Sequence, residues 1–288
     1  MKGMPMLLAL CSVTSAVAQA GTVTLTSNNV SSALDIEAAI NTATNFGTTP
    51  GTVILSGRKG DFVYSGPDRS INIQVSNLTL RGVHGATIAN CDDGLFFDDV
   101  AVRDIRVEQI TFHCTGDGID YVGTSPRKDV TVRNNVFETG ASGISVTNTI
   151  DWRIINNSIV AGPASGQTGI ALVGSRDSQI VGNTLIAAQG LRLDSAGSLV
   201  SSGNRVIANR IAAHDTGIRL DTGANKNSVL ANRIVLFGPV GTGVFLDSGT
   251  FRNRVQGNRA SIVPGGTLTT VLDLGTGNLV QGNQPQAE

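Results

Sequence analysis

Apolar and polar positions alternate with a period of two along most of the chain, the signature of strands rather than helices. A glycine followed by apolar residues at its first and third successors recurs as GLFF at 94, GIDY at 118, GISV at 143, GIAL at 169, GLRL at 190, GIRL at 217 and GVFL at 243. The spacings are 24, 25, 26, 21, 27 and 26 residues, and VLDL at 271 reads as a degenerate eighth member. A second series, Asn135, Asn157, Asn183, Asn209, Asn232, Asn258 and Asn283, keeps step at intervals of 22 to 26. Two registers locked to one period define one coil per repeat. Such coils bury their apolar faces only by stacking on each other. The expectation is a single all-β domain over 51–284, a single-stranded right-handed parallel β-helix of about 8–10 coils.

The ends break the pattern. Residues 32–44, SALDIEAAINTAT, space Leu34, Ile36, Ala39 and Ile40 as a helix does. They predict a helix within an N-terminal cap at 21–50, closing the apolar end of the stack. GTVILSG at 51–57 then reads as the first strand. The last coil has only a short tail, 285–288, after it, so its open edge is a candidate surface for self-association. At the other terminus one lysine precedes an apolar run from Met6 to Ala18, and Ala18-Gln19-Ala20 has the small-x-small form. That predicts a signal peptide, 1–20, cleaved after Ala20, and a secreted or periplasmic protein. Nothing else approaches the ~18 apolar residues of a membrane span. After cleavage 20 basic residues face 22 acidic ones, so no general pull towards nucleic acid or membrane is expected.

The cap helix, GTVIL, NLTLRG at 77–82 and the DDGL, GDGI and N-x-I coils together resemble the pectin-lyase-like right-handed β-helix family, from about Asp35 to Asn283. That resemblance implies the fold. The fold hosts lyases, hydrolases, epimerases, tailspikes and adhesins, so it does not select a function. In polygalacturonase-type members an Asp-Asp pair enters one strand, Gly-His-Gly the next coil, and Arg-Ile-Lys follows. Asp92-Asp93 resembles the pair. Gly116-Asp117-Gly118 has aspartate where the histidine would stand, and the next coil offers ASGISV.

Chemistry concentrates on the glycine strands. The second residue after each glycine faces outward by alternation: Phe96, Asp120, Ser145, Ala171, Arg192, Arg219, Phe245 and, in the degenerate coil, Asp273. Asp92, Asp93, Asp117 and Asp120 gather on two neighbouring coils. They are the candidate acid–base groups, and Asp117 and Asp120 candidate ligands for Ca2+, the one cofactor considered, with Asp98 a further ligand. Arg192, Asp194, His214, Arg219 and Asp221 form a candidate substrate-binding set. Turn formation explains Asp92, Asp93, Asp117 and Asp120 equally well, and for Asp194, Asp221 and Asp247 turns or Asp–Arg pairing is the favoured reading. His84 and His113 sit in apolar alternation and read as structural.

Arg210, Arg233 and Arg259 form a column on successive rungs, read as a solvated face or an anion-binding stripe. The asparagines read as a ladder at an αL turn, with Asn204, Asn227, Asn253 and Asn278 as a second ladder. Trp152, at the equivalent place in its coil, reads as rim packing or a sugar platform. Cys91 and Cys114 share an angular position on adjacent coils and predict a disulfide. The functional expectation is a carbohydrate-active protein that binds an acidic polysaccharide, with cleavage or epimerisation of it left open. The alternative is a non-catalytic envelope or adhesion rod.

Overall fold

The computed structural model describes residues 21–286 except 65–68, 99–100, 122, 124 and 165; the signal-peptide expectation lies outside the described residues. The strand-period repeats wind into a single-stranded right-handed parallel β-helix of about ten coils. Successive rungs pair in parallel, residue on residue. One sheet stacks Thr22–Thr26, Gly51–Ser56, Leu78–Val83 and so on to Leu279–Gln281; a second wraps the other sides of the coil and holds the glycine strands.

The stack begins one strand earlier than the sequence suggests. Thr22–Thr26 pairs with Gly51–Ser56 from Thr22↔Thr52 to Thr26↔Ser56, with Val23 and Leu25 facing inward. Helix α1, Ala33–Thr44, follows that rung. Ser32 caps it, and Asp35 accepts the Ser31 and Ser32 N–H groups at 2.7 and 3.0 Å. Its buried face is Ala33, Ile36, Ala39, Ile40 and Ala43, while Leu34 is exposed.

Glycine opens each rung because the coils approach closely there. A Cβ on Gly94 would lie 2.5 Å from the Gly118 carbonyl oxygen and 2.7 Å from the Phe112 ring; Gly118 stands in the same relation to Gly143 and Phe137. The two residues that alternate inward, such as Ile119 and Tyr121 or Ile218 and Leu220, are fully buried.

The asparagine ladder is present, with one correction. The left-handed residue is the one before each of the six buried ladder asparagines: Asn134, Asn156, Gly182, Ala208, Ala231 and Gly257. That turn releases the following asparagine inward, where it is buried. Asn209 is typical. Its N–H and Nδ2 both donate to Asn232 Oδ1, at 2.9 and 3.0 Å, and Nδ2 also donates to the Ile180 carbonyl. The second ladder runs from Ser178 through Asn204, Asn227 and Asn253 to Asn278.

Trp152 holds the matching place, its N–H donating to Ser178 Oγ, but it is neither rim nor platform. It is fully buried, its ring 5.7 Å from that of Phe97 and Nε1 on the Arg127 carbonyl. Asp273 also differs from expectation. Val244 pairs with Val271 and Leu246 with Asp273, so Leu272 takes the outward column. A one-residue offset in a strand exchanges its faces.

Candidate functional site

The turns entering the glycine strands carry a third ladder, and it absorbs two of the four clustered carboxylates. Ser70 Oγ accepts the Asp93 N–H at 3.0 Å, Asp93 Oδ1 the Asp117 N–H at 2.8 Å, and Asp117 Oδ1 the Ser142 N–H at 2.6 Å. Ser142 Oγ in turn accepts the Thr168 N–H at 3.2 Å. Asp92 points elsewhere, to Arg69 at 2.5 Å. That pair lines a shallow pocket of about 290 Å3 with Glu37, Asn72 and Phe96. The disulfide between Cys91 and Cys114 joins the two coils just upstream, with Cα atoms 4.5 Å apart.

Asp120 is the carboxyl left on the outer face. It pairs with Phe96 on one rung and Ser145 on the other. Burial first, then the charges of Asp117 and Asp93, raise its pKa to about 6, against the pull of the Tyr121 N–H. Burial and Asp93 also push Asp117 up, against the Ser142 N–H. Among the described residues no group of three or more His, Cys, Asp or Glu could hold a metal ion. Asp117 and Asp120 therefore offer Ca2+ two carboxylates, fewer than the oxygen shell that ion takes.

The outward column continues in register through Phe96, Asp120, Ser145, Ala171, Arg192, Arg219 and Phe245. Three rung steps, about 14 Å, separate Asp120 from Arg192. The two side chains between them are small. Beyond, Arg192 donates to Asp194 at 2.7 Å and to Asp221 at 2.5 Å; Arg219 donates to Asp221 and, at 3.4 Å, to Asp247. This zigzag gathers four members of the expected substrate-binding set. It leaves His214 outside, on Asp215 at 2.6 Å and edge-on to Phe237. His84 meets Ser56 and Arg58, and His113 meets Glu138 at 3.3 Å.

Sequence reasoning placed Phe96 and Phe245 in the outward column without giving them a role, and missed Arg69 and a concavity of about 530 Å3 on the other sheet, lined by Thr79, Arg106, Thr131 and Arg153 among others. That concavity's signal was a run of aspartates, Asp104, Asp129 and Asp151, each directly before a buried residue of successive coils (Ile105, Val130, Trp152) and each in the left-handed region.

A parallel β-helix with ladder-bound turns and a charged outer column is the class these features define. The family model described as periplasmic copper-binding protein (NosD) matches residues 54–236, and the chain belongs to that family. No curated protein sequence matches it. Among solved structures it is similar to PfbA, a surface adhesin of Streptococcus pneumoniae, at 14% identity over 91% of this chain and 90% of that one, TM-score 0.48. It is also similar to DFA-IIIase of Arthrobacter chlorophenolicus A6, at 14% identity over 88% and 80%, TM-score 0.48. The mannuronan C-5 epimerase AlgE4 A-module of Azotobacter vinelandii matches at 14% identity over 90% and 95%, TM-score 0.36. None of these assigns a substrate to this chain. No helix among the described residues is long and apolar enough to cross a membrane.

Proposed function

We propose that the protein is an exported, periplasmic carbohydrate-binding β-helix that takes an acidic polysaccharide along its glycine-strand face. The observation that carries this reading is the outward column, where Ser145 and Ala171 form a low saddle between Asp120 and Arg192. Phe96 at one end is an apolar surface of the kind that sugar rings pack against, while the Phe245 ring at the other end carries the Arg219 guanidinium 4.8 Å over its centre. Arg192 gives Nε and Nη2 to aspartates, which leaves further N–H donors of its planar fork for a sugar carboxylate. An Ala171→Trp variant fills the saddle from a half-buried position on the outer face. We expect it to weaken retention on immobilised polyuronate by about tenfold. Unchanged retention would remove this face from the binding site.

A second reading, cleavage or epimerisation, is favoured by Asp120 alone, whose pKa of about 6 suits a general acid or base. Polyuronates incubated with the protein, with and without Ca2+, would then yield unsaturated, reducing-end or epimerised products. The Asp117→Ala/Asp120→Ala variant should abolish them; undiminished turnover would sink the assignment.

The family description raises copper, and the residues present do not fit it. Copper favours imidazole, thiolate and thioether donors. Both described cysteines are tied in the disulfide, and His84, His113 and His214 have separate partners on separate coils. No donor cluster assembles among the described residues. No step of the proposed function runs through copper.

A further inference from the structure

The strands just after the asparagine ladder carry a second charged column unlike the first. Arg210, Arg233 and Arg259 stack in register, Arg210↔Arg233 and Arg233↔Arg259. All three are exposed, and none has an ion-pair or hydrogen-bond partner for its guanidinium among the described residues. On the glycine strands, by contrast, Arg192 and Arg219 are both neutralised by aspartates. Like charges on adjacent rungs repel. The fold keeps that repulsion three rungs deep with no acid beside it.

The same strands present an apolar column next to the cationic one. Val160, Ile186, Ala212 and Val235 follow one another in register, with Val160 and Ile186 40% and 46% exposed. Phe237, on the Arg233 rung, is 45% exposed. Arg210 and Arg233 flank a shallow apolar groove of about 230 Å3 over Ile186 and Val235. A sheet face holds these groups in one plane, with cations along one edge and aliphatic side chains beside them. A planar amphipathic array of this kind matches a planar amphipathic surface. Arginines reach phosphates while the apolar column enters the headgroup boundary. The linings of the groove and of its neighbour beyond Arg233 contain no aromatic residue, and Phe237 beside them offers a single platform, where nucleic-acid bases stack on a succession of them.

We propose that this face docks the rod, side-on, against an anionic lipid surface. The proposal does not rest on the glycan site, which lies at the far end of the same strands: Arg210 and Arg219 open and nearly close Arg210–Leu220, and Ile186 and Arg192 stand on either side of the register shift at Ala187/Gln189. Flotation of the folded protein with phosphatidylcholine vesicles, with and without about 30 mol% phosphatidylglycerol, tests it. Binding should require the anionic lipid and fall as salt rises. The Arg210→Glu/Arg233→Glu/Arg259→Glu variant should partition on the order of 100-fold less, and Ile186→Asp should also weaken binding. The Arg106→Glu/Arg153→Glu control, which makes a like-signed change on the other sheet, should bind as wild type, as should Ala171→Trp. Failure of the wild type to bind anionic vesicles would overturn the proposal. So would equal losses in the control, or a triple variant that loses only soluble polyuronate.

Discussion

The two halves of the rod solve the stacking problem with different chemistry. Up to Trp152 the core is filled by Phe62, Tyr64, Phe97, Phe112, Tyr121, Phe137 and Trp152, all fully or almost fully buried, and the Cys91–Cys114 disulfide ties two coils together. Phe112 and Phe137 stack with ring centres 5.1 Å apart. Beyond Trp152 the buried apolar residues are aliphatic or alanine, and Phe237, Phe245 and Phe251 lie outside the core. There two asparagine ladders run side by side, coil after coil, the first of them starting at Asn135 and the second at Ser178. Charge divides along nearly the same line. Residues 21–150 hold 9 basic and 14 acidic side chains, and residues 151–288 hold 11 and 8. The acidic cluster and the arginine stripe therefore sit on opposite halves. Aliphatic side chains bury less area per rung than aromatic ones, so hydrogen bonds inside the turn matter more there.

That contrast breaks most sharply at a ladder residue. Asn209→Ala would leave the Asn183 N–H and the Ile180 carbonyl without their buried partners. Each such group costs about 1–3 kcal/mol, so a loss of about 3 kcal/mol or more is expected in a denaturant titration. A loss below about 1 kcal/mol would show that water or backbone shifts replace the ladder. Removing the staple from the other half, as Cys91→Ser/Cys114→Ser, reopens a loop closed across 23 residues. The chain-entropy estimate is about 3 kcal/mol. The wild type under reductant should approach the variant, whereas Asn209→Ala should keep its deficit in either redox state. If reductant leaves the wild type unchanged, the two halves do not differ in this way.

The fold was legible because its signals are periodic. Strand alternation and a coil length near 25 residues survive any substitution that keeps a position apolar, and Cys91 and Cys114 fall at one angle of that coil. Roles at turns were less legible, because they depend on an offset of one residue. The left-handed residue is Asn156 and not Asn157, and Asp273 lies in the column of Leu246 and not in that of Phe245. Asp93 and Asp117 looked like chemistry because they cluster with Asp92 and Asp120. Only the rung-to-rung hydrogen bonds show that they serve the same purpose as Ser70 and Ser142. Trp152 was misjudged for a related reason. Its place is a ladder place, but an indole there satisfies its N–H on Arg127 and fills the core.

The smallest effect tests whether the acidic half keeps a strained charge for function. Asp120 has a folded-state pKa of about 6 against an ordinary value of 3.8. Between those two pH values the folded state binds more proton than the unfolded state, so stability is fullest below about pH 4 and declines as pH rises through 6. Above pH 6 the ionised carboxylate, half-buried and near Asp93 and Asp117, is a net penalty. Asp120→Asn keeps the shape and removes the charge. It should stabilise the protein at pH 7 by on the order of 1 kcal/mol, the full linkage value being reduced by solvent screening, and should flatten the pH dependence between 4 and 6. An acidic glycan bound over Asp120 adds a further negative charge, which makes the proton harder to lose. Its binding to the wild type should therefore weaken as pH rises from 5 to 7, and binding to Asp120→Asn should not follow pH. A wild-type affinity that is flat across that range would separate Asp120 from the ligand and leave its raised pKa a property of the turn alone.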